Sequence, residues 1–433
     1  LNDIIDERTG SAPGGGASPV PVDDRFAAFR NPRFRAYWLA RFASSFAVQI
    51  VVTAVGWQIY DLTRSTLDLG IVGLCQFLPS LALFLFTGAA ADRWSRRLIM
   101  AGSSALEGVG ALALLLLTIH GLVSPVPVFV VLVGIGAARA FFGPASQSLV
   151  VNLVTRDELA NAVAWNSSSW QIATIVGPVA GGLLYGHAAE TAYATGFVLF
   201  VAGAVLALMI GRTARDAEVA AEGAAPEPVT LETVAAGFRF IRRQPVVLGA
   251  VTLDLFAVLL GGAVALLPAY ARDVLHVGEF GLGLLRAAPG VGSLAMAAWL
   301  AAHPVRDHAG IVMFGFVALF GAFTVVFGLS TAPWLSILAL ALMGATDMIS
   351  VYVRETLIQL WTPDEVRGRV NAVNLLFVGA SNELGEFRAG VMAFFIGVVP
   401  AVAVGGALTM GVAGLWAWMF PQLRRVRRLA APE

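Results

Sequence analysis

The sequence predicts an all-α integral membrane protein: twelve transmembrane helices in two pseudo-symmetric six-helix bundles. Three observations carry that expectation. The first is composition, since 58% of the 433 residues are hydrophobic and only 13% charged, against about 25% charged in a soluble chain. So few polar residues cannot cover a water-facing surface of this size. The second is the series of apolar runs, nearly all reaching the ~20 residues that cross a ~30 Å hydrocarbon core. The third is the placement of the arginines, which alternates with the runs.

Taken in order, the spans fall near 37–59, 68–91, 98–119, 126–150, 162–185 and 192–211, then near 246–269, 281–302, 310–328, 333–360, 370–394 and 401–420. An even number places both termini on one side. Of the 28 arginines, 21 lie on the side of the termini and two, Arg64 and Arg272, on the other, the rest falling within spans. This positive-inside bias puts both termini in the cytoplasm.

The organisation expected is a disordered cytoplasmic tail (1–33), a first six-helix bundle (34–211), a cytoplasmic linker (212–245), a second bundle (246–420) and a basic tail (421–433). Residues 1–24, rich in Gly, Pro, Ser and Asp, read as a tail rather than a signal peptide. The linker begins acidic between Asp216 and Glu227 and turns amphipathic from Leu231. There Val234, Phe238 and Ile241 recur beside Arg239, Arg242 and Arg243, the pattern of a helix lying at a membrane surface. The halves echo each other weakly. Leu153, Thr155, Asp157, Glu158 and Val163 recur 207 residues later as Leu360, Thr362, Asp364, Glu365 and Val370. Duplicated units about an axis along the membrane normal build transporters with a central site.

Several function classes drop out. A single cysteine, Cys75, forms no intramolecular disulfide or thiolate cluster, and the five histidines fall near helix ends rather than in a metal-ligand set. No metal or cofactor is expected. No nucleophile–base constellation points to an enzyme, and the basic residues follow the topology rule rather than forming a nucleic-acid patch.

Gly88-Ala-Ala-Ala-Asp92-Arg93-Trp94-Ser95-Arg96-Arg97 follows the second span. It resembles the signature loop of the major facilitator superfamily, with Ser95 where that family usually has glycine. A carboxylate and three guanidiniums there can pair with helix ends and act as a cytoplasmic gate latch. Arg139 and Gly143 resemble the core of a second family motif, associated with proton coupling. Gly177-Pro178-Val-Ala-Gly181-Gly182 resembles the family's antiporter motif, with Ala173 in place of its first glycine. On physical grounds alone, those glycines and that proline describe a closely packed helix pair. The stretches Leu357–Asn374, Gly379–Phe387 and Asn166–Trp170 look like the enterobactin-exporter branch, which also includes multidrug efflux relatives. The resemblance implies efflux of a small amphipathic molecule, a siderophore or drug-like compound, from the inner membrane of a bacterium. It also implies drive by the proton motive force and a monomer surrounded by lipid. An importer or a lipid flippase of the same fold remains the alternative.

Ionisable groups inside a bilayer are costly and tend to face a bundle interior or a wet cavity. The candidates for substrate or proton coupling are Arg41, Glu107, Arg139, Asp254, Arg286, Asp347, Glu383 and Glu386; Arg354 and Arg388 are assigned to latch or salt-bridge duty. Arg286 is expected to neutralise Asp254. Asp347, Ser350 and Arg354 form a polar stripe along one helix face. Glu383 and Glu386 lie one turn apart, and two close carboxylates rarely ionise together. Phe77 and Phe256 are expected to contribute apolar lining.

Overall fold

The computed structural model describes residues 26–212, 231–305, 307–427 and 429, and the regular structure among them is helical throughout. Most of the tail expected at 1–33, the acidic stretch Asp216–Glu227, Arg306 and the end of the basic tail lie outside the described residues.

Local chemistry sets the helix starts. Asn31 accepts a hydrogen bond from the Arg33 N–H and Pro32 occupies the first turn, which opens α1 (Pro32–Thr63). Ser65 accepts from the Asp68 N–H and opens α2 (Thr66–Arg93). There follow α3 (Arg96–Ile119), α4 (Pro125–Val150), α5 (Leu159–His187) and α6 (Ala189–Met209). After the linker come the short α7 (Leu231–Arg243) and α8 (Pro245–Gly261). Then follow α9 (Gly278–Ala302), α10 (Ala309–Leu329), α11 (Pro333–Trp361), α12 (Asp364–Ile396) and α13 (Val398–Met419), with one short helical turn (Pro421–Arg424) after them. The crossing helices are α1–α6 and α8–α13.

Three spans differ from expectation. The first begins at Pro32, and a 3₁₀ turn with a buried Ala28 precedes it, so the end of the expected tail is ordered. The eleventh begins at Asp364 rather than near 370, because Pro363 sits at its N-cap and Asp364 and Glu365 fill the first turn, where carboxylates favour the helix dipole. The seventh is not one continuous helix. It stops at Gly261-Gly262, passes through a 3₁₀ turn (Val264–Leu266) and resumes through Leu267–Ala269 and a π-type turn (Tyr270–Val274). Paired glycines and Pro268 are the breakers. The Arg388 guanidinium sits at the broken end, 3.5 Å from the Gly262 carbonyl oxygen, where a helix C-terminus favours a cation.

The packing graph repeats between the halves. In the first, α1 packs on α5 and α6, α3 on α4 and α6, and α2 on α4; in the second, α8 packs on α12 and α13, α10 on α11 and α13, and α9 on α11. One close approach makes the repetition concrete. Gly136 on α4 lies against the Gln76 backbone of α2, and Gly344 on α11 lies against the Pro289 backbone of α9. A side chain at either position would enter a neighbouring backbone, so only glycine lets these helices approach so closely.

The halves meet along two seams, α5 against α9 and α2 against α12. Among the described residues ten helices are long and apolar enough to cross a bilayer on their own, and α5 and α12 are not among them. The reason is their polar content: Asn166, Ser167, Ser168, Ser169 and Gln171 on α5, and Asn371, Asn374, Asn382, Glu383, Glu386 and Arg388 on α12. Both helices occupy equivalent seam positions with protein on either side, so their polar groups need not face lipid.

The amphipathic α7 packs on the second half through one side, while Phe238 stays exposed on it. Its Ile241 is fully buried with Val247 and Val251 of α8, Ile358 of α11, and Val370 and Val373 of α12. A Cβ on Gly237 would stand 2.5 Å from the Arg369 carbonyl oxygen.

Candidate functional site

Four of the sequence-selected charges converge on one cavity between the halves. Arg139 of α4, Arg286 of α9, and Glu383 and Glu386 of α12 line a space of about 180 Å³, with Gln49 and Trp170 completing its wall. Gly73 of α2 makes room for the carboxylates: the Glu383 and Glu386 Oε2 atoms each lie 3.2 Å from where a Cβ at Gly73 would be. Gly56 of α1 does the same for Arg286, whose Nη1 lies 3.7 Å from the corresponding point. The charges of Arg139 and Arg286 both act on Glu383 and Glu386. Two cations and two carboxylates thus share a small, poorly solvated space, where each charge matters more than it would in water.

The remaining candidates lie elsewhere. Glu107 is buried on α3, within the field of Arg139 but outside the cavity lining. Arg41 donates to the Ser146 hydroxyl of α4 at 2.5 Å, in a cluster where the Tyr37 hydroxyl lies 3.0 Å from the Ser146 carbonyl oxygen and Asn166 donates to Tyr37. Asp254 does not meet Arg286. It forms a buried ion pair with Arg354 of α11 instead, because Asp254 faces the interior of the second half while Arg286 turns to the α12 seam. Asp347 and Ser350 complete the stripe beside Asp254, around a void of about 10 Å³. Neither Phe77 nor Phe256 lines the central cavity. Phe77 is buried toward Gly379 of α12, and the Phe256 ring packs on Trp416 with centroids 5.1 Å apart.

The loop of the second span ties helix ends within its own half. Arg96 donates through Nε to the Ala91 carbonyl at 3.1 Å and through Nη1 to the Ser148 carbonyl at 3.2 Å, while Arg97 reaches the Leu208 carbonyl at 3.4 Å. These are C-terminal carbonyls of α2, α4 and α6, which favour cations. Gly88 lies in the last turns of α2 and Arg93 at its exposed end; the Asp92 side chain is outside the described set. The Gly177–Gly182 stretch is a packing device. Gly177 lies against Gln49 and Gly181 against Ile50 of α1, Gly182 lies against the Glu279 backbone of α9, and the Pro178 carbonyl lies against Gly283.

A second cluster, not singled out from the sequence, closes one face. Asp61 pairs with Arg272 across the halves, Arg64 Nη1 lies 3.3 Å from Asp273 Oδ1, and the Tyr60 hydroxyl donates to Asp273. Beneath it Trp57 stacks under Arg272, with the guanidinium 5.5 Å from the ring centre, and joins Leu266 and Tyr270 in a buried apolar layer. Arg64 and Arg272 are the two arginines on the otherwise arginine-free side, each close to an aspartate. That pairing was the available signal. Contacts between the halves continue inward through Thr66 with Gly390 to Gln171 with Gly290, at mid-height. The ion pairs are half-exposed, so each contributes about 0–1 kcal/mol. Asp61→Asn combined with Arg272→Gln is therefore expected to loosen this face partially, read as a broadened spin-label distance between positions 62 and 280. An unchanged distribution would mean that the apolar layer alone holds the face shut.

The duplicated bundles and the charged cavity at their seam are those of a membrane transporter. A family model described as transmembrane secretion effector, of the major facilitator class, matches residues 24–430. The chain belongs to that family. The transporter is similar to the enterobactin exporter EntS of Citrobacter koseri, 27% identical over 409 residues that cover 92% of this chain and 94% of the relative. It is likewise similar to the enterobactin exporter EntS of Escherichia coli O1:K1 / APEC, 28% identical over 411 residues with the same coverage of each. Among solved structures it is similar to the nucleoside transporter NupG, with a TM-score of 0.69, 13% identity, and coverage of 90% of this chain and 99% of that one. A bacterial homologue of the human lysosomal transporter Spinster, in an inward-facing and occupied conformation, gives a TM-score of 0.68 at 13% identity, covering 91% and 97%. These structural likenesses concern the fold. The transporter is embedded in a membrane and acts on a small molecule, and its relatives are exporters rather than enzymes.

Proposed function

We propose that this transporter is a proton-coupled exporter of a siderophore or a similar amphipathic compound, working by alternating access in a bacterial cytoplasmic membrane. The observation that carries the reading is the cavity of Arg139, Arg286, Glu383 and Glu386, placed between halves that are closed at the Asp61–Arg272 face. Similarity to enterobactin exporters over 92% of the chain supplies the substrate class and the direction. The arginine bias supports placing both termini and the open side of the cavity in the cytoplasm.

Coupling follows from competition at the carboxylates. With both carboxylates ionised, the four groups balance; adding a proton leaves a net positive charge. A substrate whose phenolic hydroxyls donate hydrogen bonds prefers the ionised carboxylates as acceptors. Its arrival therefore expels the proton, and by linkage a proton arriving from the opposite face expels the substrate. The Gln49 side chain and the Trp170 ring, 41% exposed, offer a polar contact and a stacking surface beside the charges. The gate loop at Gly88, Asp92, Arg93, Arg96 and Arg97 would brace the first half while the halves rock, and the glycines of α5 would serve as the fixed seam.

The test is transport into acid-loaded everted vesicles, read by a pH-sensitive dye while catecholate siderophores, macrolides and lipophilic cations are added in turn. Proton release with one class alone supports the exporter and identifies its chemistry. No release with any class, from folded protein, would contradict proton-coupled export and favour an importer or lipid flippase.

A further inference from the structure

The lipid-facing side of the first half holds a site with no part in the central cavity. α3 and α4 cross in contact at Gly110, where a Cβ would lie 2.5 Å from the Ile135 side chain, and they splay apart on either side. Toward the arginine-rich face the opening is a groove of about 600 Å³, with Gly102, Leu106 and Phe141 along its length and Arg93, Trp94 and Ser95 at its head. Toward the other face a groove of about 550 Å³ ends at His120 and has no arginine in its lining.

The dimensions of the first groove match one leaflet. From Ser95 to Leu106 the helix rises roughly 16 Å, about half of a ~30 Å hydrocarbon core. Its walls are apolar, and its head is polar and cationic. Arg93 is exposed and pairs with no described residue, in contrast to Arg96 and Arg97, which hold helix carbonyls. The Ser95 hydroxyl is buried without a hydrogen-bond partner and does not cap α3, although it precedes the free N–H groups of the first turn. Trp94 is exposed beside them, at the level where tryptophan marks the membrane interface.

We propose that the α3–α4 groove on the arginine-rich face binds an anionic phospholipid, its acyl chain between the two helices and its phosphate on Arg93. Charge complementarity selects this groove over its counterpart at His120. The bound lipid would fasten the loop that Arg96 and Arg97 tie to α2, α4 and α6, so the site is a structural cofactor site rather than a transport site.

The test is native mass spectrometry of the full chain released from mixed phosphatidylglycerol and phosphatidylcholine nanodiscs, comparing the wild type with Arg93→Gln and Gly102→Leu. A Cβ at Gly102 meets nothing within 4 Å, so the leucine can enter the groove without disturbing the fold. The wild type is expected to retain phosphatidylglycerol in preference to phosphatidylcholine. Arg93→Gln is expected to abolish the preference, and Gly102→Leu to lower retention of both lipids severalfold. Equal preference in the wild type and Arg93→Gln, or unchanged retention in Gly102→Leu, would reduce the groove to ordinary bulk-lipid contact and overturn the proposal.

Discussion

Glu386→Gln is expected to reduce substrate-driven proton release by roughly 5–150-fold, the range given by a coupling free energy of about 1–3 kcal/mol, while leaving the protein folded and inserted. Glutamine keeps the shape and much of the hydrogen-bonding capacity of the carboxyl group but cannot exchange a proton. Glu383→Gln is expected to behave similarly, because both Oε2 atoms converge on the space opened by Gly73. The double variant should release no proton and still bind substrate, since Gln49, Trp170, Arg139 and Arg286 remain. Vesicle acidity and binding by isothermal titration separate the two effects. Loss of binding with residual coupling would assign the pair to substrate recognition alone.

The second large effect concerns stability. Asp254 and Arg354 are almost fully buried and pair only within the second half. Removing one partner of such a pair leaves an uncompensated buried charge and costs about 3–5 kcal/mol, whereas replacing both with uncharged residues of similar size is often neutral. Arg354→Met is therefore expected to lower sharply the temperature at which folded protein is lost. Asp254→Asn combined with Arg354→Met is expected to restore most of that loss together with transport, measured by a heating series and by the vesicle assay. A double variant that is stable yet inactive would move this pair into the transport machinery.

This contrast also marks how far the sequence could be read. Twelve spans and a duplicated architecture were legible because hydrophobic length and arginine placement are imposed directly by the bilayer. The break at Gly262 was less visible, since paired glycines inside an apolar run are compatible with a continuous helix until Arg388 and α12 are seen beside them. Intramembrane charges announced that a polar site existed, but not its pairing. Asp254, Arg286 and Arg354 offered two cations for one carboxylate, and the choice depends on how α8, α9 and α11 are rotated, which span patterns alone do not determine. The face-closing cluster went unrecognised because Asp61, Arg64, Arg272 and Asp273 resemble ordinary loop charges until the halves are brought together. Trp170 had the same problem: a tryptophan in a helix more often packs than lines a cavity, and only the α5 seam places it against the charges.

Alternating access requires that one cavity be reached from one face at a time. A single cysteine placed by Val52→Cys in a Cys75→Ser background lies in the cavity wall and reports access to a membrane-impermeant maleimide applied from either side. Labelling from the arginine-rich face alone is expected in the resting protein, with labelling from the opposite face appearing once Asp61→Asn and Arg272→Gln are added. Labelling from both faces at rest, or from the Asp61–Arg272 face alone, would contradict the account.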